Sequence, residues 1–172
     1  MKSGLRTHLL SFDGKDVDML EALRQVFPAS RPLMAELVQM ATDEEGHVQS
    51  AATWLLRRHM ADGERLAPKE VGLLGAALGD VTDPWARQHL CQSIGSIAIS
   101  VDHHQNYAAF LRACCEAERP FLRAWGVDGL YRLSLQHTEL AEEVEQRLAS
   151  ARGDEAASVT ARVRNIDLER GA

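Results

Sequence analysis

Asp102, His103 and His104 place a carboxylate and two imidazoles in consecutive positions, donor types that metal-dependent phosphoester chemistry uses to hold a cation. That chemistry needs several ligands converging on one point. Neighbouring helical residues diverge by about 100°, and no third ligand stands at a recognisable spacing. The sequence therefore predicts that Asp102 caps a helix starting at His103 and that both histidines sit in solvent. His8, His47, His59, His89 and His137 form neither an HExxH motif nor a Cys/His finger spacing, so no metal site is expected.

The other chemical motifs are equally bare. Cys91, Cys114 and Cys115 are odd in number and lack a CxxC spacing. Cys91 and Cys114 fall on apolar-periodic positions, where a thiol packs as a small buried side chain. No GxxxxGK[ST], GxGxxG or GxSxG segment is present to cradle a phosphate or present a nucleophile. No catalytic residue and no cofactor are expected, and the motifs favour a non-enzymatic protein without deciding the question.

Residues suited to recognition are easier to find. Trp54, Arg57, Arg58, Gln92, Trp125, Asp128, Tyr131 and Arg132 are large, planar or charged, the types that dominate contact surfaces or pair with a peptide's charges. Whether they form one row depends on the elements that carry them.

Those elements repeat. The segment from Asp80 to Ile97 recurs thirty-six positions later, with Pro84 answering Pro120, Trp85 answering Phe121, Arg87 answering Arg123 and Ile94 answering Leu130. A fixed period of this length is the mark of stacked helical pairs, because one pair cannot bury its apolar face alone. Apolar residues follow the helical period throughout, and no stretch alternates long enough for a strand. An N-terminal helix is expected at about 15–28, followed by pairs at about 32–62, 67–100, 103–136 and 138–168, all in one domain. Proline at 84 and 120 suits a first helical position, with Asp83 as a capping carboxylate. Gly63, Gly79 and Gly153 sit where a left-handed residue stops a helix. Gly126 and Gly129, inside an apolar helix, suit the close approach of a neighbour.

With the register set, Val48, Ala52 and Leu56 match Ala86, Leu90 and Ile94, then Leu122, Gly126 and Leu130, as the buried stripe of each second helix. The eight recognition residues fall between these stripes or beside them. Trp85 and Phe121, near helix starts, are expected in the core between pairs.

The pattern resembles the HEAT repeats, with the armadillo class close by. HEAT units often carry an acid in the turn and an arginine early in the second helix. Here the acid precedes the arginine by seven residues in Asp80 and Arg87, Glu116 and Arg123, and Glu155 and Arg162. The first pair departs from this with Thr42 and Gln49. The resemblance implies an all-α, α-α superhelix, a short right-handed solenoid of about four pairs plus an N-terminal helix. It implies that the acids and arginines form a ladder fastening neighbouring pairs. It also implies that second helices line a concave face that binds a protein or peptide, as an adaptor or scaffold does. A second resemblance, to the HEAT-like alkylpurine DNA glycosylases, would set Trp125 and Asp128, one helical turn apart, against a damaged base.

Composition bears on the choice. A net charge of −6 counts against a surface that tracks phosphates, although a basic stripe on an acidic protein would reverse this. With 45% hydrophobic and 26% charged residues the chain has an ordinary globular composition. No apolar run approaches the roughly 20 residues of a membrane span, and the first residues make a poor secretory signal. No membrane association and a cytoplasmic location are expected.

Overall fold

The computed structural model describes residues 4–171. The protein is all-α: among these residues there are ten α-helices and three short 3-10 turns, with no strand. The helices group into two compact units, residues 1–98 and 99–172, each with its own central helix.

In the first unit α1 (Leu5–Leu9), α2 (Val17–Val26), α3 (Arg31–Met40), α4 (Gly46–Ala61), α5 (Pro68–Ala77) and α6 (Pro84–Ser93) follow one another. Helix α4 is the hub, with α1, α2, α3 and α6 packed on it, and α3 also meets α5. Its residues from Val48 to Leu56 are all buried, polar Gln49, Ser50 and Thr53 included. It ends because Gly63 takes φ 109°, letting its amide and that of Glu64 reach back to the carbonyls of Met60 and His59. Gly79 and Gly153 do not have positive φ, so they end no helix in this way. Asp83 caps α6 as expected, its carboxylate accepting from the amides of Trp85 and Ala86 at 2.9 Å each. Helix α6 stops at Ser93 and tightens into the Ile94–Ser96 turn, short of the expected continuation toward Ile99.

The second unit holds α7 (His104–Cys115), α8 (Pro120–Ser134), α9 (Ala141–Ala151) and α10 (Ala157–Glu169). Helix α8 is central, contacted by α7, α9 and α10. Gly126 permits the α7 contact: a Cβ there would stand 2.7 Å from the Cys115 amide nitrogen, inside van der Waals range. All three thiols are buried and none is in a disulfide, and burial pushes Cys115 up to about 12, which leaves it protonated and unreactive at neutral pH.

The fastening between pairs follows a rule the acid–arginine spacing only half expresses. Arg123 donates to the carbonyls of Ala117 and Glu118 in its own turn, and its other edge makes two bonds to Asp154, at 3.0 and 3.1 Å, in the next pair's turn. Gln49, the apparent departure, does the same with an amide. It donates to the Asp43 carbonyl at 2.8 Å and accepts from the amides of Thr82 and Asp83 at 3.0 Å each. The position is thus a splice between consecutive turns, open to either side chain. The acids are used differently from the expected ladder. Glu116 pairs with Arg147, Glu155 is exposed, and Arg162 turns toward Asp128. Asp80 is exposed in the Leu78–Asp80 turn, and Arg87 occupies the splice position of α6.

Helix α1 was not legible as a helix, yet it is tied in. Leu5 and Leu9 are fully buried, and Arg6 grips Asp43 with two bonds of 2.7 and 3.0 Å, which hold the Asp43 carboxyl below the usual range.

Candidate functional site

On the first unit, α4 and α6 present side chains at helical spacing to a shared cavity. Ser50, Trp54 and Arg57 descend α4 at i, i+4 and i+7, and Trp85, Gln88, His89 and Gln92 descend α6 at i, i+3, i+4 and i+7. The segment before and within α2 closes the side with Phe12, Gly14, Val17 and Leu20. The space is about 300 Å³, near the small end of ligand pockets.

Its electrostatics are one-sided. Arg57 has no carboxylate partner among the described residues, and its buried Nε has no hydrogen-bond acceptor. Burial first, and the charge of Arg58 second, lower its pKa from the ordinary arginine value, yet a guanidinium stays protonated at any physiological pH. His89 adds no charge. Burial, with Arg57 second, pushes its imidazole down to about 4, so it is neutral at pH 7. Its Nδ1 lies 3.2 Å from Thr53 Oγ1. That hydroxyl already donates to the carbonyls of Gln49 and Ser50, so the imidazole is the donor between them. The cavity therefore has apolar and aromatic walls, amide groups from Gln88 and Gln92, and one unneutralised cation.

Of the residues singled out in the sequence, Trp54, Arg57 and Gln92 meet here. Trp54 is only 9% exposed but lines the cavity. Arg58 points elsewhere, with its guanidinium carbon 5.6 Å from the Trp54 ring centroid and Nη2 3.6 Å from Glu21. Trp85, expected in the core, is instead half exposed and lines the cavity, and Phe121 is likewise exposed. Each directly precedes the first residue of its helix's buried stripe, Ala86 or Leu122, and so points about 100° away from it. The periodic positions 85, 88 and 92 would have revealed the row.

The corresponding residues of the second unit are closed on themselves. Asp128 is 4% exposed, 3.4 Å from Arg132 Nε and 3.8 Å from Arg162 Nη1. Burial raises its pKa against the pull of these two cations. Arg132 also pairs with Glu169 at 2.6 Å and lies 5.2 Å from the Tyr131 ring centroid. Arg162 stacks over Trp125, 3.7 Å from its centroid. Tyr131 is 8% exposed. Trp125, Asp128, Tyr131 and Arg132, expected in the contact row, are thus each engaged by a neighbour within this unit.

At the start of this unit the histidines also differ from expectation. Helix α7 begins at His104 after an N-cap, His103, with no side-chain cap bond, so Asp102 caps nothing. His104 is buried, 7% exposed, and its ring stacks on that of His137, which is 8% exposed. No helix of the described residues is long and apolar enough to cross a membrane. Comparison with protein-family models, with curated proteins and with solved structures returns no match.

Proposed function

We propose that this chain is a non-enzymatic, HEAT-like helical adaptor whose first unit holds a short acidic segment of another protein. A carboxylate of the segment sits on Arg57, and an apolar neighbour packs against Trp54 and Trp85. The observation that carries this reading is the unpartnered Arg57 guanidinium at an aromatic-walled cavity. A half-buried cation without a counter-ion is costly, and an incoming carboxylate supplies the missing charge and the acceptor for Nε. A volume of about 300 Å³ admits one or two side chains, which suits a peptide anchor. His89, with a value of about 4, is a weak base at neutral pH, in keeping with recognition rather than proton transfer. The stacked pairs and their turn-to-turn splices are in keeping with the HEAT-like reading, and a cytoplasmic adaptor is the setting it suggests.

The test is a titration of tryptophan fluorescence with a short peptide carrying Glu beside Leu, and with its Gln counterpart. The Glu peptide binds, the Gln peptide binds at least about tenfold more weakly, and Arg57→Ala removes the difference, since a charge-assisted bond is worth about 1.5–3 kcal/mol. Equal affinity for both peptides, or an Arg57→Ala protein that still discriminates, sinks the proposal. Retention of duplex DNA in place of either peptide would favour the repair-protein reading.

A further inference from the structure

We infer that His104, His137 and Glu139 form a binding site for a borderline divalent transition metal ion of the Zn²⁺ class, in the second unit and independent of the Arg57 cavity. His104 Nε2 lies 3.1 Å from Glu139 Oε1 and His137 Nδ1 lies 3.8 Å from the same oxygen. The three donor atoms are all within 4.8 Å of one another. In a tetrahedral zinc site with ligands about 2.0–2.1 Å from the ion, donors stand about 3.3 Å apart.

What the other face of each ring does decides the chemistry. His104 Nδ1 is 2.6 Å from the Val101 carbonyl, and His137 Nε2 is 2.8 Å from the Ile99 carbonyl. A carbonyl only accepts, so these nitrogens carry the ring protons. In the neutral imidazoles the lone pairs are then on His104 Nε2 and His137 Nδ1, the atoms that face Glu139. Two lone pairs and a carboxylate converging on one spot repel unless a cation stands among them. The exposed Gln105 amide reaches His104 Nε2 at 2.7 Å and relieves one of the three. Imidazoles anchored through the far nitrogen to a backbone carbonyl are the usual support of metal ligands, because the bond fixes both tautomer and aim. The support is itself braced: Ile99 donates its amide to Gln136 Oε1 at 3.0 Å, so two bonds stitch the segment before α7 to the residues after α8.

Two nitrogens and one oxygen select Zn²⁺, Co²⁺ or Ni²⁺ over Mg²⁺ and Ca²⁺, which prefer all-oxygen sites. Both histidines are buried, whereas the Glu139 side chain is 53% exposed, so the ion enters past Glu139. The rings lie 15° from parallel with centroids 4.6 Å apart, and an ion held by both requires them to splay about their Cβ–Cγ bonds. Metal binding therefore unstacks the pair and clamps Ile99 and Val101 to the 137–139 turn.

The competing arrangement is a proton in place of the metal, an imidazolium on His104 bonded to Glu139. The full chain, stripped with EDTA and dialysed, is titrated with Co²⁺ and then Zn²⁺, followed by visible absorption, calorimetry and melting temperature. The expected result is one Co²⁺ per chain with a four- or five-coordinate spectrum, displacement by Zn²⁺, and a higher melting temperature with metal. Glu139→Gln, at an exposed position, leaves the metal-free melting temperature unchanged and weakens Zn²⁺ at least about tenfold. His104→Asn weakens it further. A chain that binds no Co²⁺, or one whose affinity Glu139→Gln and His104→Asn leave intact, overturns the inference. So does ¹⁵N resonance of the histidines showing His104 protonated on both nitrogens and indifferent to Zn²⁺.

Discussion

The two units are built alike, each with a central second helix wrapped by its neighbours, but the polar rows on those helices have opposite fates. In α8 the row is charge-paired, though Asp128 Oδ1 makes no hydrogen bond: one buried carboxylate, Asp128, faces two guanidinium groups, and those cover Tyr131 and Trp125. In α4 the row ends in Arg57, which has aromatic company and no anion. The same residue types therefore make internal structure in one place and an unfinished surface in the other. Two register positions mark the difference: Trp54 in α4, Gln92 in α6 and Asp128 in α8 are equivalents of which only the third is an acid, and Arg57 is matched in α8 by Tyr131.

That contrast breaks most sharply at Asp128. Asp128→Ala strands Arg162 on Trp125 and leaves Arg132 with Glu169 alone. The two side chains are 28% and 25% exposed and Arg132 keeps Glu169, so the cost is that of partly buried donors losing an acceptor, about 2 kcal/mol, read as a drop in urea midpoint by circular dichroism. An unchanged midpoint would mean that the α8 network is decoration.

Trp125 and Asp128 were readable as binding types because side-chain chemistry is written in the sequence; the partners that consume them were not. Arg162 lies a full helical pair away, and the acid–arginine spacing pointed it at Glu155. The splice shows the reverse case. Gln49 looked like a lapse from the pattern, yet an amide can donate and accept at once, so it joins the same two turns as Arg123. The buried stripes, the proline-led helix starts and the Asp83 cap followed from periodicity and local backbone chemistry. Helix α1 escaped because five residues are too few to show a period. His104 escaped because adjacency with His103 hides that one ring turns inward, to meet residues 33 and 35 positions later.

The first unit gives a smaller, pH-dependent effect. His89 has a folded value of about 4 against 6.5 unfolded, so the unfolded chain takes up the proton first as pH falls. Its contribution is fully present above 6.5 and is lost progressively as pH falls from 6.5 toward 4. Between pH 7 and 5.5, above the carboxylate range, the loss is about 1 kcal/mol. His59 is shifted the same way by burial, so His89→Asn flattens the profile of unfolding free energy without levelling it. A profile identical to the parent's would show that His89 is not buried in its neutral form.

The smallest expected effect has the opposite sign. Arg57→Met keeps the apolar stem and removes an uncompensated charge, so stability is unchanged or rises by less than about 1 kcal/mol, while the acidic peptide is no longer held. A loss of stability at Arg57 comparable to that at Asp128 would erase the distinction between the two rows.

The splices carry a consequence for how the chain comes together. Gln49 reaches Thr82 across 33 positions, Arg123 reaches Asp154 across 31, and Arg6 reaches Asp43 across 37. Every one of these ties closes within roughly one repeat, so contact order stays low and no fastening waits for a distant terminus. On a ribosome, each pair can be locked as soon as the following turn has emerged, and folding keeps step with synthesis from Arg6 onward.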